Sequence, residues 1–185
     1  MRNEKQCHIL DAAFKVFARF GLKKTSIDDI AKAAEMSRQG VYLHFKNKDE
    51  IFKSAVEKYL ADQNDAAILV LSQAKPVDER LLHGLQEWFG KSIGLIHQDA
   101  IDVVQEGSLV LKPIFDDYTR GFKAAMAKAI HKDAKADKRT ADDIAEILHA
   151  CGLTWKHEMS SQDEFQKRMK TTIKIALAGI SAKKI

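Results

Sequence analysis

Between residues 25 and 50 the chain reads TSIDDIAKAAEMSRQGVYLHFKNKDE. This stretch gathers side chains able to hold and read a nucleic acid. Arg38 and Gln39 are adjacent. An arginine can bond O6 and N7 of guanine together, and a glutamine can do the same to N6 and N7 of adenine. Gly40 carries no side chain, so the backbone there can come close to a base edge or a thymine methyl. Tyr42, His44 and Lys48 bring a phenol, an imidazole and an ammonium, each able to donate to a phosphate oxygen. Thr25 and the amides that open the helix after it supply another phosphate site, because helix N-termini favour anions. Singly, Tyr42 is as readily a packing aromatic and His44 a plain surface residue. The whole set at this spacing points to DNA.

These groups work only if short helices position them. From Asn3 to Phe20, Ile9, Ala13, Phe17 and Phe20 recur at spacings of three and four, with Leu10 and Phe14 beside them. This is the period of an amphipathic helix. Gly21 ends it, with Lys23 and Lys24 in the loop that follows. Ser26 caps a second helix, with Asp29 three residues on as its capping-box partner. Ile27, Ile30, Ala31 and Ala34 form its inner face, and the small residues Ala31, Ala33 and Ala34 let another helix approach closely. The second helix must stop by Glu35 or Met36, because Ser37 makes a fresh N-cap. A third then runs from Arg38 to Phe45 with Val41 and Phe45 inward. Two short helices, a turn of about three residues and a small-residue contact face make a helix-turn-helix. In such a unit the first turn of the second helix points into the major groove.

With ILDAAFKVFARFG, TSIDDIAKAAEMS and YLHFKNKDEIF in place, residues 9 to 52 resemble the DNA-binding domain of the TetR (tetracycline-repressor) family of bacterial regulators. The resemblance covers roughly a quarter of the chain. It implies that Thr25, Tyr42, His44 and Lys48 contact phosphates, and that Arg38, Gln39, Gly40 and Leu43 face bases. It also implies that the last two long helices pair with their copies in a four-helix dimer interface. Two departures stand out. The family often has glycine in the inter-helix turn where this chain has Glu35. If that position needs positive φ, a non-glycine residue is strained there by about 1 kcal/mol. The family also often has glycine then threonine where this chain has Gln39 and Gly40.

Beyond Asp49 the pattern is more helix. Phe52, Ala55, Tyr59, Gln63, Ala66 and Val70 line one face, ended by Lys75-Pro76. Leu81, Leu82, Leu85, Trp88, Phe89, Ile93 and Ile96 form a stripe interrupted by Gly84, Gly90 and Gly94. Residues 100–111 make a short helix. Pro113 suits a helix start, followed by Phe115, Tyr118, Phe122, Met126 and Ile130. HKDAKADKR is a solvated loop. Thr140 with Asp143 opens the next helix, with Ile144, Ile147, Leu148, Cys151 and Trp155 inward. Ser161 with Glu164 opens the last, with Phe165, Met169, Ile173, Ala176 and Ile180 on one face. Trp88, Phe89, His97, Phe115, Tyr118, Phe122, Met126 and Trp155 are candidates for an apolar ligand pocket; the same spacing equally makes a plain core.

Composition narrows the class. Of 185 residues, 45% are hydrophobic and 30% charged, ordinary for a soluble protein. Residues 1–50 hold 10 Lys/Arg against 7 Asp/Glu, and the rest 20 against 19. The positive excess therefore sits on the segment with the DNA-reading pattern. Cys7 and Cys151 have no ligand or redox spacing and read as reduced thiols. The charged N-terminus is no signal peptide, and the longest apolar run, AAILVL, is too short to span a bilayer. Both features place the protein in the cytoplasm. Glu146 and His149 give one Glu-x-x-His where a di-iron bundle needs two and further glutamates. No P-loop, nucleophile elbow or dinucleotide fingerprint occurs. We therefore expect no metal, no catalytic residues and no enzyme activity.

The expectation is an all-α chain. Residues 1–48 form a three-helix helix-turn-helix domain, and 49–185 a helical bundle for dimerisation and ligand binding. Its function is that of a transcriptional regulator, acting as a dimeric repressor on a palindromic site in double-stranded DNA. An apolar or aromatic small molecule releases it, and no other cofactor or membrane is involved. The alternative is a small-molecule or partner-protein binding module with incidental DNA affinity.

Overall fold

The computed structural model describes residues 3–94 and 111–182. Among them every regular element is helical: α1 Glu4–Lys24, α2 Ile27–Ala33, α3 Arg38–Tyr42, α4 Lys48–Leu71, α5 Val77–Trp88, a 3-10 turn Gly90–Ser92, α6 Lys112–Asp133, α7 Lys138–Glu158 and α8 Gln162–Ala182. The expected helix over 100–111, up to residue 110, and His97 lie outside the described residues. No described helix is long and apolar enough to cross a membrane. The chain divides into two compact units, Met1–Asp62 with Leu95–Asp116, and Gln63–Gly94 with Asp117–Ile185.

In the first unit, helix ends are set by local chemistry. Asn3 and Gln6 exchange hydrogen bonds as a capping box that starts α1. Gly21 breaks α1 at φ 81° and ψ 163°, a backbone region open essentially to glycine alone. Ile9, Leu10, Ala13 and Phe17 are buried as their spacing predicts. Phe20, expected on that inner face, is instead 45% exposed, with the Arg19 guanidinium 5.1 Å from its ring centroid. It is the last residue before the break, so nothing packs over it from a continuing helix. Phe17 meets Phe52 edge-on at 5.3 Å, and Phe14 stacks on Tyr59 at 3.9 Å, fixing α1 against the first half of α4. Lys58 of α4 adds an ion pair to Asp11 at 2.7 Å.

The second unit closes on an apolar core. Trp88 stacks on Phe122 with ring centroids 4.8 Å apart, and Leu81, Leu85, Met126, Ile130, Leu148, Phe165 and Met169 are buried around them. Gly152 is required here: a Cβ would fall 2.4 Å from the Phe89 ring. Arg80 is buried, donating through Nη1 to the Leu71 carbonyl at 2.8 Å and through Nη2 to the Asp133 carboxylate. It thereby ties the C-terminal end of α4 to that of α6.

Several boundaries differ from the sequence reading. α4 ends at Leu71, ahead of Pro76, and its buried stripe in this half is Ala67 and Leu71 rather than Ala66 and Val70. The stripe beginning at Leu81 is not one helix to Ile96; α5 stops at Trp88, and the chain passes through the 3-10 turn to Gly94 at φ 75°. α7 starts at Lys138, three residues early, because the Asp137 carboxylate accepts from the Thr140 amide and is the cap. Ile147, expected inward, is 54% exposed. α8 opens as expected, with Ser161 Oγ accepting from the Glu164 amide at 3.2 Å.

Candidate nucleic-acid interface

The reading unit is built from three short pieces of chain with one shared core. Ser26 and Asp29 form the expected capping box, Ser26 Oγ accepting from the Asp29 amide and Asp29 Oδ2 from the Ser26 amide. These bonds hold the Asp29 carboxyl below the usual carboxylate range, the Ser26 side chain contributing most. α2 is closed by two bonds, from the Glu35 amide to the Lys32 carbonyl and from the Met36 amide to the Ala31 carbonyl. This is the Schellman pattern, whose closing residue is usually a left-handed glycine. Here Glu35 takes that place at φ 53°, so the positive φ considered for this position is present. Ala31 and Ala34 face inward, whereas Ala33 faces out. His8 Nε2 sits 2.9 Å from the Ala34 carbonyl, binding α1 to the end of α2.

Ser37 caps α3, its Oγ accepting from the Gly40 amide at 3.0 Å. α3 is shorter than expected, Arg38–Tyr42 rather than reaching Phe45. The chain tightens at its end, where the His44 and Phe45 amides share the Val41 carbonyl. It must turn within a few residues, because Asn47 Oδ1 already accepts from the Glu50 amide to start α4. Val41 and Phe45 anchor α3 in the core at 0% and 6% exposure, as predicted. The opposite face is open: Gln39 is exposed, and Leu43 is 84% exposed. A Cβ on Gly40 would meet only the tip of Met36 and the Ser37 hydroxyl, both at 3.3 Å.

Arg38 does not hang free. Its Nη1 donates to Asp28 Oδ2 at 2.8 Å, and its guanidinium carbon lies 5.6 Å from the Tyr42 ring centroid. The Tyr42 phenol and the Asp28 carboxylate together raise the pKa of this already charged group. Asp28 was not singled out by sequence. It lies ten residues from Arg38, a spacing that no single helix brings together, so only the packing of α2 on α3 reveals the pair.

The four expected phosphate grips occupy different settings. Tyr42 is 44% exposed and His44 half-buried. Thr25 is buried, and its hydroxyl donates to the Gly21 carbonyl at 2.7 Å, so that proton serves the bend between α1 and α2. Lys48 is half-buried, its Nζ donating to the carbonyls of Leu22 at 2.8 Å and Thr25 at 2.9 Å. An ammonium has three N–H donors, and these bonds leave one.

The ligand-pocket candidates are distributed through the body. Trp88, Phe89, Phe122 and Met126 are buried core residues, while Phe115, Tyr118 and Trp155 are half-buried. Arg168 lies 5.5 Å from the Trp155 ring centroid. A cleft of ≈ 550 Å³ is lined instead by Ser72, Gln73, Ala74, Lys75, Pro76, Arg80, Lys132 and Asp133. Among the described residues no group of three or more His, Cys, Asp or Glu is placed to hold a metal ion.

Comparison with known proteins places this geometry. Residues 9–55 match the family described as bacterial regulatory proteins, tetR family. The transcriptional regulator AcrR of Shigella flexneri is 39% identical over 72 residues, 39% of this chain and 33% of that protein. The match thus spans about a third of that relative's length. The uncharacterized transcriptional regulator YhgD of Bacillus subtilis is 29% identical over 135 residues, 69% of this chain and 68% of its own. A transcriptional regulator from Cytophaga hutchinsonii shares the fold at a TM-score of 0.74 and 18% identity, covering 96% of this chain and 99% of that one. One from Aquifex aeolicus does so at 0.69 and 17%, covering 92% and 98%. The curated relatives are named as regulators, not enzymes. A capped three-helix reader, an outward-facing recognition helix and these likenesses lead to one conclusion: residues 9–55 form the DNA-binding domain characteristic of the tetR family of bacterial regulatory proteins.

Proposed function

We propose that the protein is a dimeric repressor that reads a palindromic operator through α3 and is released by an apolar or aromatic small molecule. The observation that carries this reading is the exposed face of α3. Gln39 and Leu43 stand in water on a helix whose other face is locked into the core by Val41 and Phe45. A leucine left 84% exposed is explained by a partner that covers it, and a thymine methyl in the major groove is an apolar partner of the right size. Arg38, Gln39, Gly40 and Leu43 then face bases. Tyr42, His44, the remaining donor of Lys48 and the chain around Thr25 face phosphates. The "probable acrEF/envCD operon repressor" of Escherichia coli K12, 31% identical over 83 residues, 42% of this chain and 38% of its own, supports repression as the mode.

Affinity and the body both support dimerisation. One short half-site read by one helix binds weakly, and two readers one turn apart multiply the contacts. Ile147 and Leu153 on α7 and Ile175 on α8 are 54%, 46% and 68% exposed, apolar surface that a second copy would cover. The effector would enter among the aromatics around Trp88 and Phe122, parting rings that otherwise close the core. To move the protein from mostly on to mostly off DNA, it must favour one state by roughly 5 kcal/mol. The cytoplasm is where such a protein meets its DNA.

Selection from a random double-stranded pool tests the reading. Enrichment of a two-fold symmetric sequence, with half-sites spaced by about one helical turn or a multiple, is the expected result. Weak, salt-sensitive binding with no enriched sequence would refute it and favour a ligand- or partner-binding module with incidental DNA affinity.

A further inference from the structure

The two consecutive acids in the first turn of α2 do different work. Asp29 closes the capping box with Ser26. Asp28 takes no part in that box; its Oδ2 accepts from Nη1 of Arg38, the first residue of α3, at 2.8 Å. An acidic group near a DNA-reading helix repels phosphate, so its presence needs a compensating role. Arginine geometry supplies one. The guanidinium is planar with five donors, and two parallel donors along one edge match O6 and N7 of guanine. With Nη1 held by Asp28, the edge formed by Nε and Nη2 is the matching one. The Tyr42 ring, 5.6 Å from the guanidinium carbon, limits where the plane can swing. Both partners remain open to a ligand, Arg38 at 56% and Asp28 at 61% side-chain exposure.

We infer that Asp28 is a specificity-determining positioning residue: through Nη1 it orients Arg38 so that the Nε–Nη2 edge meets a guanine in the operator. This rests on the reading of α3 as a base reader. Asp28 acts twice over. It removes rotational freedom from Arg38 before binding, which sharpens the choice of base. It also lowers affinity for DNA of any sequence by adding negative charge at the groove. Specificity therefore rises while indiscriminate binding falls.

A double-mutant cycle on the full chain tests this, using wild type, Asp28→Asn, Arg38→Ala and the double variant. Sites selected from a random pool are followed by competition binding at several salt concentrations. Asp28→Asn should lose about 2- to 5-fold of base preference at one position per half-site, the scale of an exposed ion pair. Its affinity for unrelated DNA should hold or rise. The lost position should be the one relaxed by Arg38→Ala, and Asp28→Asn should have no further effect on preference in the Arg38→Ala background. If Arg38→Ala relaxes a position that Asp28→Asn leaves intact, the inference fails and the reading of α3 stands. It also fails if Asp28→Asn weakens binding equally on all sequences, as a damaged helix would. Should wild type select no sequence at all, the reading of α3 fails and the inference with it.

Discussion

His149 is a buried imidazole, and its replacement by glutamine gives a sharp test of how the second unit is held together. The ring is 8% exposed, with its centroid 5.2 Å from the Phe89 ring. Burial depresses its pKa from 6.5 to about 4; the nearby Lys123 and Lys156 push it the same way, against an opposing pull from Glu146. In the unfolded chain the imidazole titrates near its ordinary value. Between the two pKa values the unfolded state binds a proton that the folded state refuses, so stability rises with pH through this window. The contribution is whole above pH 6.5 and is lost as the pH falls toward 4. From pH 7 to pH 5 the loss works out at about 2 kcal/mol, at 1.36 kcal/mol per pKa unit. For a chain of this length that corresponds to roughly 4–8 °C in melting temperature. Trp88 and Trp155 are the only two tryptophans and both lie in the second unit, so their fluorescence reports its unfolding. Urea titrations of wild type and His149→Gln at both pH values give the comparison. Carboxylates titrate in both proteins and cancel in the difference. Wild type should lose about 2 kcal/mol more than the variant between pH 7 and 5. Equal losses would refute the argument that His149 is held neutral by burial.

Three further outcomes are expected. Glu35→Gly should stabilise the first unit by about 0.5–1 kcal/mol, because the left-handed strain relieved at the end of α2 exceeds the entropy that glycine adds to the unfolded chain; helix content followed by circular dichroism through a melt would register it, and a loss of stability would contradict the strain at φ 53°. Lys48→Met should cost about 1–2 kcal/mol, since the Leu22 and Thr25 carbonyls lose a charged donor. Its salt dependence of DNA binding should flatten by about one unit if the third N–H holds a phosphate; an unchanged slope would confine Lys48 to its carbonyls. Gln39→Ala should relax one base pair per half-site at a cost of about 1–3 kcal/mol, and identical site selection by the variant would remove Gln39 from the reading set.

The parts legible in the sequence are those decided within one or two turns of chain. Ser26 with Asp29, Ser37, and Ser161 with Glu164 cap helices in the structure as their spacing predicts. Gly21 breaks α1 where no other residue could follow the backbone. Even locally the rule has competitors: Asp137 stands three residues before Thr140 and captures its amide, so α7 begins there and not at the expected cap. The Glu35 departure was legible as a question, and the Schellman bonds around it answer why the backbone must turn left-handed.

What the sequence by itself determined is the helical class, the capped helix-turn-helix and the exposed candidates for base contact on α3, because hydrophobic period and capping act through neighbours a few residues apart. Only the tertiary structure decided which faces found partners. It buried Phe122 and Met126 in a closed core while leaving Ile147 in water. It turned Lys48 onto two carbonyls more than twenty residues away, and set Asp28 against Arg38. Those outcomes depend on the angle and distance at which separate helices pack, which no spacing along one helix specifies.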